Sequence, residues 1–346
     1  MKQCRGGLAL KNEIMASASL TAHVTPLDAG APVAAAAFLG QIPALALENG
    51  TVLLTTPRAE QRISAHHDAS ILVAVASGDK FITGGDDGRV VAASQDGGVQ
   101  EIADEKGKWI DALATRSDGA IVWSSGKNVR ARDKDGSIKT FPAPSSVRGL
   151  AFMPKGYRIA IAHYDGATLW FPNAAAPPDH FKWKGSHLSI TASPDGRFLA
   201  TSMQENALHA WRVADQKDMR MSGYPAKTRS LSWSFDSHWL ATSGADAAII
   251  WPFKDKDGPI NKAPLECGAR QARVTQVAFH PKSLVVAQGY EDGLLLLCRI
   301  PDGAEILVRA APKGGRAISA LAWDHAGGRL LFGAADGAAG LLDMPA

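Results

Sequence analysis

Three stretches of the sequence carry residue types that could do chemistry. The first is Gly119-Ala-Ile-Val-Trp-Ser-Ser-Gly126-Lys127-Asn128, because a glycine-rich loop closing on Gly-Lys can cradle phosphate. Six residues separate its glycines where a phosphate loop has four, and Asn128 stands in the Ser/Thr position. It also lies between strand-like patterns, with no helix to present its amides, so a hairpin is the better reading. The second is a pair of acidic turns, Asp133-Lys134-Asp135-Gly136 and Asp255-Lys256-Asp257-Gly258. Two carboxylates fall short of the roughly six to eight oxygens that calcium takes, and the central lysine opposes a cation. The third is His66-His67-Asp68, the residue types of a metal site. Neighbours on an extended chain point opposite ways, so a ligand would have to come from elsewhere; an exposed polar loop is expected. The sequence contains neither GxSxG nor HExxH. No cofactor, metal or catalytic set is assigned.

Composition narrows the classes further. The chain has 346 residues, with 37 Lys+Arg against 34 Asp+Glu. This balance makes no electrostatic case for nucleic acid or an anionic membrane surface. The three cysteines, Cys4, Cys267 and Cys298, are widely spaced and form no CxxC pair, which argues against a disulfide framework and suits a reducing cytoplasm. The opening MKQCRGGLALKNEIMASASL is interrupted by Lys11, Asn12 and Glu13, so no signal peptide is read there. Residues 1–16 are expected to be a flexible leader and 17–346 a single domain. No run of 18 apolar residues occurs, so no membrane-spanning helix is expected.

The elements that would position any site come from a repeat. Apolar runs end in turns at Asn49-Gly50, Asp87-Gly88, Ser125-Gly126, Asp165-Gly166, Glu205-Asn206, Asp246-Ala247, Asp292-Gly293 and Asp336-Gly337. The spacing, 38–46 residues, fits the period of roughly 40–45 that a four-stranded propeller blade needs. Each unit opens on an alternating strand, such as Val274-Thr-Gln-Val-Ala-Phe279 or Ile318-Ser-Ala-Leu-Ala-Trp323. A more continuously apolar strand with small residues follows, for example Phe198-Leu-Ala-Thr201. A third strand often carries tryptophan (Trp170, Trp211, Trp251), and a further Asp-Gly turn leads to a polar outer strand. Asp-Gly suits tight hairpins because both residues accept positive φ.

The stretches SPDGRFLATS…LHAW and AFHPKSLVVAQGYEDGLLLL resemble WD40 repeats, and the resemblance covers residues 17–346. It implies an all-β propeller of four-stranded antiparallel blades. Eight blades are expected, near 31–56, 69–94, 109–134, 146–173, 186–213, 227–253, 273–300 and 317–344, with seven as the alternative. The last unit lacks its outer strand, which Ser19–Thr25 near the N-terminus is expected to supply, closing the ring. The Trp-Asp dipeptide of the family is missing: Phe171, Arg212 and Pro252 follow the three tryptophans. Its buried Asp/His/Ser/Trp network is therefore expected to be broken in most blades, leaving stability to apolar packing.

The resemblance also implies a partner surface, formed by loops leading into first strands and loops joining second to third strands. Mapped here, that face holds Trp109, Asp111, Arg148, Tyr164, His187, Arg229, Arg273 and Arg316, with Asp86, Gln204 and Glu291 beside them. Aromatic residues and arginine carry most interface energy. Arg148, Tyr164 and Arg229 are expected to form one patch, and the four arginines to make the face locally basic, favouring an acidic peptide or protein. The expected function is a non-enzymatic protein-protein interaction scaffold. The alternative is a propeller enzyme with a site at the channel mouth, using His187, Glu205, Asp86 and His163.

Overall fold

The computed structural model describes residues 18–56 and 59–345; the expected leader, 1–16, and Cys4 lie outside them. Alternating and apolar runs become strands, and the glycines at their ends supply the positive φ that joins them. The unit Val33–Leu39, Ile42–Leu47, Thr51–Thr55 and Glu60–Ser64 is typical: four antiparallel strands hydrogen-bonded in chain order. Its turn at Asn49-Gly50 puts Gly50 at φ +82°, and Gly88, Gly293 and Gly337 repeat that geometry at +81°, +87° and +87°. The observed strands Val274–Phe279 and Ile318–Trp323 have the boundaries expected of first strands.

First strands stand side by side around a central axis. Val33–Leu39 touches Ile71–Ser77 on one flank and Ile318–Trp323 on the other. Apolar side chains from facing units fill the wedges between them: Leu39, Leu54, Phe81 and Val91 share one cluster, and Ile250, Val277, Tyr290 and Leu296 another. Alanines on the second strands, Ala44, Ala46, Ala160, Ala162, Ala200 and Ala287, are fully buried, which lets neighbouring sheets approach closely. This is the all-β propeller of four-stranded antiparallel blades that the repeat implies.

Two features differ from expectation. Among the described residues, hydrogen bonding groups the strands into seven sheets, the alternative number, where eight were put first. Six of these have four strands and one has six. In the six-stranded sheet, Ile159–Trp170 runs through Asp165 (φ +66°) and Gly166 (φ +136°), and Asp179–Ala192 runs through Gly185 (φ +128°). The second difference concerns closure. The strand that completes the last sheet is Val24–Asp28, antiparallel to Ala338–Asp343, with Val24 opposite Leu342 and Asp28 opposite Ala338. Part of the expected segment lies elsewhere: Ser19 forms a parallel bridge to Leu307 on the neighbouring sheet. The Leu20 amide donates to the Leu307 carbonyl at 2.7 Å, and the Leu307 amide to the Ala18 carbonyl at 2.9 Å. Leu20 explains the shift, since there it is buried with Leu295, Leu297 and Val308.

Gly166 gives a direct test of the long strand. A Cβ there would sit 2.0 Å from the Phe181 carbonyl oxygen, at a φ that side chains avoid. Gly166→Ala is expected to lower stability by about 1–3 kcal/mol, read by denaturant unfolding. A change of a few tenths would mean that the turn is not held as described.

Candidate functional site

The polar groups near the loop face fall into two sets, one buried in the blades and one open to solvent. In the sheet Ile71–Ser77 to Val99–Asp104, His66 reaches back from the preceding loop. Its Nδ1 lies 3.0 Å from Asp87 Oδ2 and its Nε2 2.9 Å from Thr83 Oγ1. His66 is therefore buried and structural, not part of an exposed loop; its neighbours His67 and Asp68 are exposed. In the next sheet, Glu105 takes the corresponding place. It accepts hydrogen bonds from Trp123 Nε1 at 2.9 Å and Ser125 Oγ at 3.0 Å, and it pairs with the Arg130 guanidinium. Burial raises the Glu105 pKa, but the bonds from Arg130, Trp123 and Ser125 outweigh it and hold the carboxyl below its usual range. In a third sheet tyrosine does the work: the Tyr224 hydroxyl meets Thr242 Oγ1 at 2.6 Å and accepts from Trp251 Nε1 at 2.7 Å. Burial pushes its pKa up to about 12. The Asp/His/Ser/Trp set is thus replaced in two of these three sheets, but polar networks of other residues stand in its place, so stability is not left to apolar packing alone.

His187 is the one candidate the structure removes from the partner surface. It is fully buried, with Nδ1 2.7 Å from Thr201 Oγ1 and Nε2 3.0 Å from the Trp183 carbonyl oxygen. It occupies an inward-facing position of the long strand Asp179–Ala192, so its ring packs into the blade. His209 lies beside it. It is buried, stacks on Trp183 at 4.0 Å, and neither ring nitrogen has a hydrogen-bond partner among the described residues.

The other seven candidates are on the surface, in two places. Trp109 is 64% exposed and Tyr164 53% exposed, which is unusual for side chains of their size. Between them Arg148 Nη1 pairs with Asp111 Oδ2 at 2.8 Å, linking adjacent sheets. The Arg148 amide donates to the Ala162 carbonyl at 3.0 Å, and the Tyr164 amide to Ser145 Oγ at 2.9 Å, so one hairpin end carries both residues. Tyr164 also borders a recess of about 740 Å³ walled by Trp183, Phe181, Lys182 and Lys184.

Arg229 and Arg273 instead line the mouth of the central channel, a cavity of about 1060 Å³. Arg229 therefore does not join Arg148 and Tyr164 in one patch. Acidic side chains share this cavity: Glu48, Asp86 and Glu291. Asp86 Oδ1 accepts the Ser70 amide at 2.8 Å, and Arg273 Nε donates to Glu291 Oε2 at 3.0 Å. Arg316 is exposed beside the loop that carries Glu291. With Arg148 and Arg273 both paired to carboxylates, the face is of mixed charge and not uniformly basic. The residues weighed for catalysis are not brought together either. Asp86 lines the channel mouth, His163 lines the Tyr164 recess, His187 is enclosed, and Glu205 is 3.4 Å from the Ser186 amide. The sequence reading missed Glu105 and Tyr224, which occupy a position where histidine was the residue to look for.

Comparisons agree with this architecture. The family model described as "WD domain, G-beta repeat" matches residues 219–251. WD repeat-containing protein 1-B of Xenopus laevis is 25% identical over 236 residues, covering 60% of this chain and 38% of that protein. Telomerase protein component 1 of Mus musculus is 29% identical over 164 residues, 46% of this chain and 6% of that one. The chain thus spans well under half the length of these relatives. Among solved structures, the C-terminal WD40 domain of Sif2 superposes with a TM-score of 0.74 at 12% identity, covering 93% of this chain and 97% of that one. The computationally designed Ika8 protein gives 0.73 at 16%, covering 92% and 98%. Among the described residues no helix is long and apolar enough to cross a membrane.

Proposed function

Since this chain belongs to the WD40-repeat β-propeller family, we propose that it is a non-enzymatic interaction scaffold that holds a protein or peptide partner on its loop face. The observation that carries this reading is the exposed pair Trp109 and Tyr164 flanking the Asp111–Arg148 ion pair. Large aromatic side chains with an arginine between them are the composition of an interface centre, and leaving them in water is otherwise unfavourable. The surface pairing of Arg148 with Asp111 stabilises the fold by at most about 1 kcal/mol, so folding alone does not account for the cluster. The mixed charge at the channel mouth favours a partner that presents both signs, with acidic groups directed to Arg229 and Arg316.

We read the ring as eight blades. The six-stranded sheet is then two blades joined edge to edge, with Ile159–Trp170 and Asp179–Ala192 each serving two strand positions. Eight apolar clusters between neighbouring units, among the described residues, support that count. A reducing, cytoplasmic location fits Cys267 and Cys298, which are buried in one cluster and unbonded.

The test is recovery of the tagged chain from its native cell, with co-purifying proteins identified by mass spectrometry. Wild type is compared with Arg148→Glu/Tyr164→Ala/Arg229→Glu, after both are shown to melt alike. A stoichiometric partner lost in the variant is the expected result. A partner kept by the variant overturns this choice of surface, and the absence of any partner counts against a scaffold.

A further inference from the structure

The opposite end of the blades carries a second hollow that the loop-face reading does not use. It encloses about 570 Å³. Its walls come from turns between first and second strands, at Lys155–Arg158 and Asp195–Arg197, and between third and fourth strands, at Arg212–Asp215 and Lys256. Those turns lie at the ends of the strands remote from the channel mouth described above.

Five cations and two carboxylates line this hollow, and they divide into two groups. Arg197 and Arg212 are committed to the fold. Arg197 Nε pairs with Asp195 Oδ2 at 2.5 Å, while its terminal nitrogens donate to the Phe253 and Lys254 carbonyls. Arg212 pairs with Asp215 at 2.6 Å and Asp257 at 2.9 Å, and donates to the Lys256 carbonyl. These two arginines form a fixed floor and neutralise both carboxylates in the lining. The remaining three, Lys155, Arg158 and Lys256, have no carboxylate partner among the described residues. Arg158 makes one bond, from Nε to the Lys155 carbonyl at 2.9 Å. Three unpaired cations, two from one turn and Lys256 from another unit, therefore converge on a recess whose own acids are already used.

An apolar element stands beside them. Phe235 is 49% exposed. It lies in the same tight turn as Ser237, whose Oγ accepts the Asp195 amide at 3.0 Å, which places that turn against the hollow.

We propose that this hollow docks an acidic segment of a partner protein, whose carboxylates pair with Lys155, Arg158 and Lys256 while an apolar side chain rests on Phe235. Charge complementarity selects acidic over basic or neutral segments. The volume suits a few side chains, not a nucleic-acid backbone. The hollow also lacks the continuous basic stripe and stacking platforms that single strands use. A scaffold with this site can hold one partner on each face at once.

The test is fluorescence polarisation with a labelled deca-glutamate peptide carrying one central leucine, titrated with the full chain at low salt. Three variants are compared with wild type, each shown to melt alike. Lys155→Glu/Arg158→Glu/Lys256→Glu is expected to weaken binding at least about tenfold, in the range of interface side chains. Lys182→Glu/Lys184→Glu/Lys313→Glu changes net charge equally, but none of the three lines the hollow or lies in a turn at that end of the blades, and it is expected to bind as wild type. Arg148→Glu/Tyr164→Ala/Arg229→Glu, the loop-face variant, is also expected to bind as wild type. Equal losses in the two charge-reversed triples would overturn the proposal in favour of general electrostatics. Loss only in the loop-face variant would assign the peptide to the other face. Tighter binding of a single-stranded oligonucleotide of equal charge would replace the acidic segment with nucleic acid.

Discussion

Glu105→Ala is expected to destabilise the protein by about 3–5 kcal/mol, the range for breaking a buried charge pair from one side. Glu105 is nearly buried, and its two oxygens receive four hydrogen bonds, from Trp123, Ser125 and twice from Arg130. Removing the carboxylate strands all of these donors together. Trp123 is fully buried, and among the described residues its indole N–H bonds to Glu105 alone, so that bond is lost. Arg130 is a third exposed and can turn part of its charge to water, which sets the cost toward the lower end of that range. Glu105→Gln retains an acceptor for Trp123 and is expected to cost less. Replacing both partners, Glu105→Leu/Arg130→Leu, is expected to cost less than Glu105→Ala alone, because no charge is then left unpaired. Urea unfolding of the four proteins at pH 7 measures these differences. A loss under about 1 kcal/mol for Glu105→Ala would mean that apolar packing alone holds this blade. The depressed carboxyl pKa also gives a direction with pH. The stabilisation is present above the ordinary glutamate range and is lost as the pH falls through the lower folded value.

This network shows where the sequence was legible and where it was not. The turn positions were readable because Asp-Gly and Asn-Gly constrain φ locally, and the turns at Asn49-Gly50, Asp87-Gly88, Asp292-Gly293 and Asp336-Gly337 all join strands as expected. First strands such as Val274–Phe279 could be delimited because alternation is a local property. Glu105 could not be recognised the same way. It stands in a charged stretch, Asp104-Glu105-Lys106, that reads as a solvated loop, and only the fold brings Trp123 and Arg130 to it. His187 failed in the opposite direction. Its place near a loop suggested exposure, but the long strand Asp179–Ala192 carries it inward. Closure was legible in kind but not in register, because Leu20 is apolar enough to be claimed by the neighbouring sheet and β-pairing starts only at Val24. Trp109 and Tyr164 could be placed on a surface because the resemblance to WD40 repeats assigns their loops to one face. Their separation from Arg229 was legible too, because the unit near 186–213 stands between theirs and the one that carries Arg229.

His209→Phe is expected to make the protein more resistant to acid while leaving its stability at pH 8 almost unchanged. His209 is fully buried between Trp183 and Trp211, with neither ring nitrogen hydrogen-bonded to any described residue. Burial, then the nearby His187 and Arg220, lowers its pKa from 6.5 to about 3. The Asp218 carboxylate, 3.6 Å away and half exposed, is too distant to bond the ring and too well solvated to offset that burial. The folded protein thus keeps His209 neutral at pH values where the unfolded chain protonates it. Protons then favour unfolding, and stability falls by about 1.4 kcal/mol per pH unit below 6.5, until the folded form also titrates near 3. By pH 4 this amounts to about 3 kcal/mol. His163 and His187, lowered mainly by burial, act in the same direction. Phenylalanine keeps the stack on Trp183 and removes both the titration and the two unbonded nitrogens. Urea midpoints for wild type and His209→Phe are therefore expected to coincide near pH 8 and to separate steadily toward pH 4. Parallel curves across that range would mean that His209 is already protonated in the folded protein, with Asp218 drawn in to pair with it.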